Sequence, residues 1–230
     1  MKNSNKFFVS IFSFFITQFS WGGQGVFFDN PGLIAFDANG IVSGYYDAEG
    51  EKRGCVFLFA QGDERVNYRD KFPYAEVKLL TFIPGENDLT FSGRSKTFDI
   101  DGELYVRGDT WLIRTDTGQA GCENSLGVFM SLPADTVGGA IFTVKKRIPA
   151  KGIRLVKKKS LFYDRQDGKF IERKGYLTRG NGVIVLQVNG EFAYVRFADP
   201  RTNVQSFGKV TTGWIRSADL VNPFPPAAKR

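Results

Sequence analysis

Apolar and polar residues alternate in short runs along most of this chain, and glycine, proline or asparagine interrupts them at close intervals. The clearest pair is Val183-Ile184-Val185-Leu186-Gln187-Val188 and Phe192-Ala193-Tyr194-Val195-Arg196-Phe197, which flank Asn189-Gly190. Period-two runs around Asn-Gly predict a β-hairpin with a type I′ turn. Upstream, residues 174–182 break the chain with glycines, and Asp167-Gly168 predicts an irregular loop. Residues 153–220 therefore read as strand, loop, strand, hairpin and closing strand.

The first half carries the same pattern. Strands are expected at 41–46 after Asn39-Gly40, at 55–59, and at 75–82 before Pro84-Gly85. Further strands are expected at 96–100, at 103–106 after a turn at Asp101-Gly102, at 111–115 and at 140–144. A series of short strands with turn signals between them argues for an antiparallel sandwich or barrel. No long stretch has a helical period, and residues 125–132 are the one place for a short helical turn. Aromatics at 15% with 26 glycines and 2 methionines suit pleated sheets joined by tight turns.

The charged segment Lys145-Lys146-Arg147-Ile148-Pro149-Ala150-Lys151-Gly152 separates the two patterns and predicts a linker over 148–152. The expected organisation is a β domain at 23–147, the linker, a second β unit at 153–221 and a disordered tail at 222–230. Lys145-Lys146-Arg147 and Lys157-Lys158-Lys159 read first as solvated surface charge and second as one basic patch.

Arg154-Leu155-Val156, the 174–182 turn leading into Val183-Ile184-Val185-Leu186, Tyr194-Val195-Arg196 and Gly213-Trp214-Ile215 before Asp219-Leu220 together resemble the bacterial SH3 domain. The resemblance covers roughly 70 residues, the size of one small barrel. One departure is that Lys157-Lys158-Lys159-Ser160-Leu161-Phe162-Tyr163 replaces the Asn-Val-Arg-Ser-Gly-Pro opening of many family members. The resemblance implies a small SH3-like β-barrel here, so with the strand pattern of the first half the chain is expected to be all β: an N-terminal antiparallel β-sandwich or barrel followed by that barrel. It also implies a cell-envelope setting and an aromatic groove for an extended peptide. The residues carried over to that groove are Tyr163, Tyr176, Arg173 and Trp214, with Phe162, Tyr194, Arg154 and Lys174 beside them. For Tyr194 and Trp214, strand positions favour a core role. Alternation sets Phe192, Tyr194 and Arg196 on one face and Val195 and Phe197 on the other.

The N-terminus adds to the envelope expectation. Lys2 and Lys6 precede an apolar run from Phe7 onward that is too short for a permanent membrane span, and Ser20-Trp21-Gly22 follows. That order predicts a signal peptide over residues 1–22 and a periplasmic or secreted chain with no later membrane span. Cleavage would remove two lysines and lower the net charge from +7 to +5. This modest surplus fits an anionic polymer or acidic partner and is far from a nucleic-acid footprint. Two cysteines, Cys55 and Cys122, predict a disulfide in an oxidising compartment. They do not form a Cys-x-x-Cys redox pair and are too few to build a metal site alone.

The chain has no histidine. Imidazole proton transfer, Ser-His and Cys-His catalysis and His-based zinc sites are therefore outside its chemistry. Ser206-Phe207-Gly208-Lys209 has Ser-x-x-Lys spacing but lies in a predicted loop rather than at a helix start. Asp99-Ile100-Asp101-Gly102 lacks the remaining ligands of a calcium loop. No carboxylate pair stands out as a glycosidase acid and base. The expectation is a non-enzymatic binding protein without cofactor or metal, holding peptidoglycan peptide or an envelope or secreted protein. The alternative is an inhibitor or immunity protein that blocks a wall hydrolase or a toxin.

Overall fold

A computed structural model describes residues 22–51, 54–62, 67–68, 73–119, 122, 129 and 140–226. The expected signal segment, apart from Gly22, lies outside the described residues, as does the suggested helical turn at 125–132 apart from Phe129. The chain is all β, as the alternation predicts.

The first half forms β1 (Gln24–Phe28), β2 (Leu33–Ala38), β3 (Ile41–Glu49), β4 (Gly54–Gln61), β5 (Asn67–Tyr68), β6 (Ala75–Phe82), β7 (Ile100–Arg107), β8 (Thr110–Thr115) and β9 (Ile141–Pro149). Every pairing is antiparallel, β4 joins β6, and β9 returns to β1. The result is a closed eight-stranded barrel, with the short β5 prolonging the β4 side of β6. Apart from the short β5, spatial neighbours are chain neighbours, which is the up-and-down arrangement.

A barrel of this strand number is just wide enough for side chains to fill its lumen. Here Tyr46, Phe57, Phe59, Leu104, Ile113 and Phe142 fill it. Described residues of the β8–β9 connection plug the lumen. Phe129 packs edge-on against Phe57 and Tyr46 at 4.9 and 5.0 Å, and Gln119 Nε2 donates to Thr81 Oγ1 at 2.6 Å. The predicted disulfide is present, and it ties Cys122 of this connection to Cys55 on the lumen side of β4. It therefore anchors plug to wall.

β4 shows why its sequence reads as a continuous apolar run. Cys55, Phe57 and Phe59 face the lumen, while Leu58 and Ala60 face outward into a second core. Burial on both faces removes the polar half of the alternation.

The second half forms β10 (Gly152–Val156), β11 (Ser160–Gln166), β12 (Lys169–Leu177), β13 (Gly182–Asn189), β14 (Phe192–Ala198), β15 (Val210–Arg216) and β16 (Leu220–Val221). They make one curled sheet in the order β12-β11-β15-β14-β13-β10-β16. A 3-10 turn, Ser217–Asp219, separates the last two strands. Phe162, Val183, Val185, Val195 and Ile215 form its own small core.

Several local expectations are corrected. The hairpin at 189–190 exists, but Asn189 pairs with Phe192 inside the ladder, leaving Gly190-Glu191 as the turn. Gly190 has φ 56° and Glu191 has no positive φ, the Gly-first pattern of type II′ turns. Asp167-Gly168 is a tight turn rather than an irregular loop, with φ of 49° and 79° and Gln166 paired to Lys169. Residues 96–98 form a 3-10 turn, not a strand. Asp101-Gly102 is not a turn: β7 runs straight through it, and Gly102 is needed because a Cβ there would lie 2.2 Å from the Arg114 carbonyl oxygen.

The segment read as a linker is mostly strand. β9 continues through Pro149, β10 starts at Gly152, and Ala150 between them is 3% exposed. The barrel's outer face (Phe27, Ile34, Tyr45, Leu58) and the second sheet (Ile153, Ile184) share one buried core. Gly182 lets the sheets meet, since a Cβ there would lie 2.3 Å from the Tyr45 ring. Arg179 reaches across to the carbonyls of Glu86 and Asn87 at 2.5 and 2.9 Å. The start of the expected disordered tail is also docked, with Phe224 edge-on to Phe82 at 6.4 Å. Residues 227–230 lie outside the described residues.

Candidate functional site

The second sheet carries an aromatic layer on the face opposite its small core. Alternation along β14 and β15 sends Ala193, Val195 and Ile215 inward and Phe192, Tyr194 and Trp214 outward. Tyr163 of β11 pairs with Trp214, and Trp214 pairs with Tyr194. The β11–β12 hairpin brings Phe170 onto this face. Phe170 stacks on Phe192 at 3.9 Å and meets Trp214 edge-on at 5.3 Å, while Tyr163 contacts Phe192 at 5.1 Å and Tyr194 contacts Trp214 at 5.3 Å. Trp214 is the floor at 7% exposure; the other four rings are half-buried. The exposed Arg216 guanidinium lies 5.8 and 5.6 Å from the Tyr163 and Phe192 rings.

Of the groove residues expected from sequence, Tyr163 and Trp214 share this face. Arg173 does not. Its guanidinium lies 5.1 Å from the ring of Phe162, a core residue, and donates to the Thr212 carbonyl. Tyr176 is 55% exposed and meets the Lys159 ammonium, 4.3 Å above its ring. The four residues are therefore not gathered in one groove. Phe170 and Phe192 complete the layer, and only alternation through Phe192 pointed to either. Of Tyr194 and Trp214, both favoured for a core role, Trp214 is buried in this outer layer rather than in the small core.

A second concavity lies between barrel and sheet. It is a cleft of about 320 Å³ lined by Phe27, Pro31, Ile34, Arg196, Phe207 and Val210. A pocket of about 10 Å³, enough for one water, shares its Pro31, Ile34 and Arg196 wall and reaches Tyr45 and Asp47.

The chain matches no family model, no curated protein and no solved structure among the known proteins compared with it.

The buried carboxyls mostly meet a cation: Glu76 with Lys78, Glu103 with Lys78 and Arg114, Asp199 with Arg201 and Asp219 with Lys158. The Arg201 hydrogen bonds, joined by one from Ser206, hold the Asp199 carboxyl down at about 2 despite its burial. Ser206 is thus tied to a carboxylate by a 2.7 Å bond in a turn, which accounts for it without the Ser-x-x-Lys reading. Asp47 is the exception. It is 4% exposed, and burial pushes it up to about 7; a hydrogen bond from Tyr45 opposes the shift, and Glu49 and Asp199 add to it. No group of three or more His, Cys, Asp or Glu side chains among the described residues is arranged to hold a metal ion.

Proposed function

We propose that this chain is an exported, non-catalytic binding protein of the cell envelope that holds an extended ligand, peptidoglycan stem peptide in the first place, on the aromatic face of its second sheet. The observation that carries the reading is the unbroken ring contact of Tyr163, Phe192, Phe170, Trp214 and Tyr194. Such rings offer large apolar area at low entropy cost, and aromatic residues concentrate binding energy at interfaces. Arg216 at the edge gives a carboxylate on the ligand a partner. Export is supported by the basic start and apolar run of residues 1–22 and by the Cys55–Cys122 bridge, a bond typical of oxidising compartments. No helix among the described residues is long and apolar enough to cross a membrane.

Binding to purified cell-wall sacculi tests the reading. The wild type should be retained, and Phe192→Ala with Tyr194→Ala should weaken retention at least tenfold while thermal melting stays cooperative. Absence of retention, together with a stoichiometric complex with one secreted protein, would replace this reading with that of an inhibitor or immunity protein.

A further inference from the structure

Arg196 is an arginine out of keeping with its surroundings. It stands on β14 at the wall of the cleft, and its guanidinium lies 4.0 Å from the centroid of the Phe27 ring. Burial lowers its pKa, so its charge is held in a poorly solvated place. Among the described residues it has no hydrogen bond or carboxylate partner. Arg94, Arg114 and Arg201, by contrast, each meet a carboxylate at 2.8 Å or less. A planar anion matches such a half-buried guanidinium, because the fork can grip it through two hydrogen bonds.

Apart from Asp29, the side chains lining the rest of the cleft are apolar. Phe27, Pro31 and Ile34 form one wall, and Phe207 and Val210 form a rim that is 45% and 46% exposed. Two acids approach it. Asp29, at the rim, accepts the backbone N–H groups of Asn30 and Thr143, each at 2.9–3.0 Å. Asp47, in the adjoining small pocket, accepts the Tyr45 hydroxyl on one oxygen at 2.8 Å. One oxygen of each acid is thus taken by a donor, and among the lining residues the Arg196 guanidinium is the cationic group that can orient an anionic ligand. Its volume of about 320 Å³ is twice the roughly 150 Å³ cavity that accepts one benzene.

We infer that the cleft between the barrel and the second sheet is a binding site for a small amphipathic monocarboxylate. Its carboxylate would rest on Arg196 and its apolar body, of about two rings, between Phe27, Ile34, Phe207 and Val210. A phosphate ester fits less well, because one guanidinium in an apolar wall supplies too few donors for three oxygens. The site is separate from the aromatic face, so its fate does not depend on that proposal.

The test is a titration of the isotope-labelled full chain with 2-naphthoate, with the neutral 2-naphthylmethanol and with decanoate, followed by amide chemical shifts. Saturable shifts are expected at Phe27, Ile34, Ala198 and Gly208, with the alcohol binding at least tenfold more weakly than naphthoate. Arg196→Met keeps the apolar stem over Phe27 and should abolish that preference without changing alcohol binding. If Arg196→Met does not fold, Phe207→Ser on the exposed rim decides, and should weaken naphthoate several-fold. Preference for decanoate over naphthoate would assign an alkyl body and support the site. No saturable binding of either acid, equal binding of the alcohol, an unchanged affinity in both variants, or shifts confined to Tyr163, Phe192 and Tyr194 would overturn it.

Discussion

Replacing Asp47 by Asn should stabilise this protein at pH 8 and do almost nothing at pH 4. The carboxyl is 4% exposed on β3, and one oxygen accepts the Tyr45 hydroxyl at 2.8 Å while the other has no hydrogen-bond partner. Burial disfavours its ionised form and lifts it from its ordinary 3.8 to about 7. A carboxyl whose folded-state pKa is raised binds its proton more tightly folded than unfolded. Its contribution is complete below pH 3.8 and is lost as pH rises through about 7. At 1.36 kcal/mol per pKa unit, the loss is about 4 kcal/mol. Asn keeps an acceptor for Tyr45 and carries no charge. Urea denaturation of both proteins at intervals from pH 4 to 8 reads the difference directly. The gain from Asp47→Asn should grow across that range to several kcal/mol. Asp199, held at about 2 by Arg201, acts in the opposite sense and only at lower pH, so it does not mask the effect. A pH-independent difference, or a less stable Asn variant at pH 8, would refute the argument.

Replacing Cys55 and Cys122 together by Ala should cost about 4 kcal/mol, because the bridge closes a loop with a sequence separation of 67; unchanged urea stability would count against the plug's anchoring role. Gly182→Ala should cost about 1–3 kcal/mol by forcing the Tyr45 ring aside. A double-mutant cycle with Tyr45→Ala should show coupling, and strict additivity would contradict the contact. On the aromatic face, Phe170→Ala should weaken sacculus binding and leave the Arg196 cleft unaltered, which parallel retention and naphthoate titrations would show.

The strands were legible where only one face is buried and the turn is local. Asn39-Gly40 is such a case: φ of 57° and 85° at the two positions joins Ala38 to Ile41 as the dipeptide predicts. Asp101-Gly102 carries a similar turn signal but its glycine has a different cause. There glycine is needed for close approach to the Arg114 carbonyl, a long-range demand with no local mark. The Lys145–Arg147 charges looked like a linker because the solvated face of β9 is indistinguishable, residue by residue, from a polar loop. The candidate groove was half legible for a related reason. Alternation separated Phe192, Tyr194 and Arg196 from Val195, but nothing local shows that the β11–β12 hairpin delivers Phe170 to that face and turns Arg173 to the other. The Arg196 cleft was wholly hidden, since its walls come from β1, β2 and β14 and meet only on packing.

The core shared by Phe27, Ile34, Tyr45, Ile153 and Ile184 has a consequence for how such a molecule can evolve. A module that travels between genes must arrive with its own surface already wetted. Severed at Lys151, each half of this chain would carry a raw apolar flank into its new host. The pair should therefore unfold as one cooperative body, and either half moved alone would need its apolar flank re-covered.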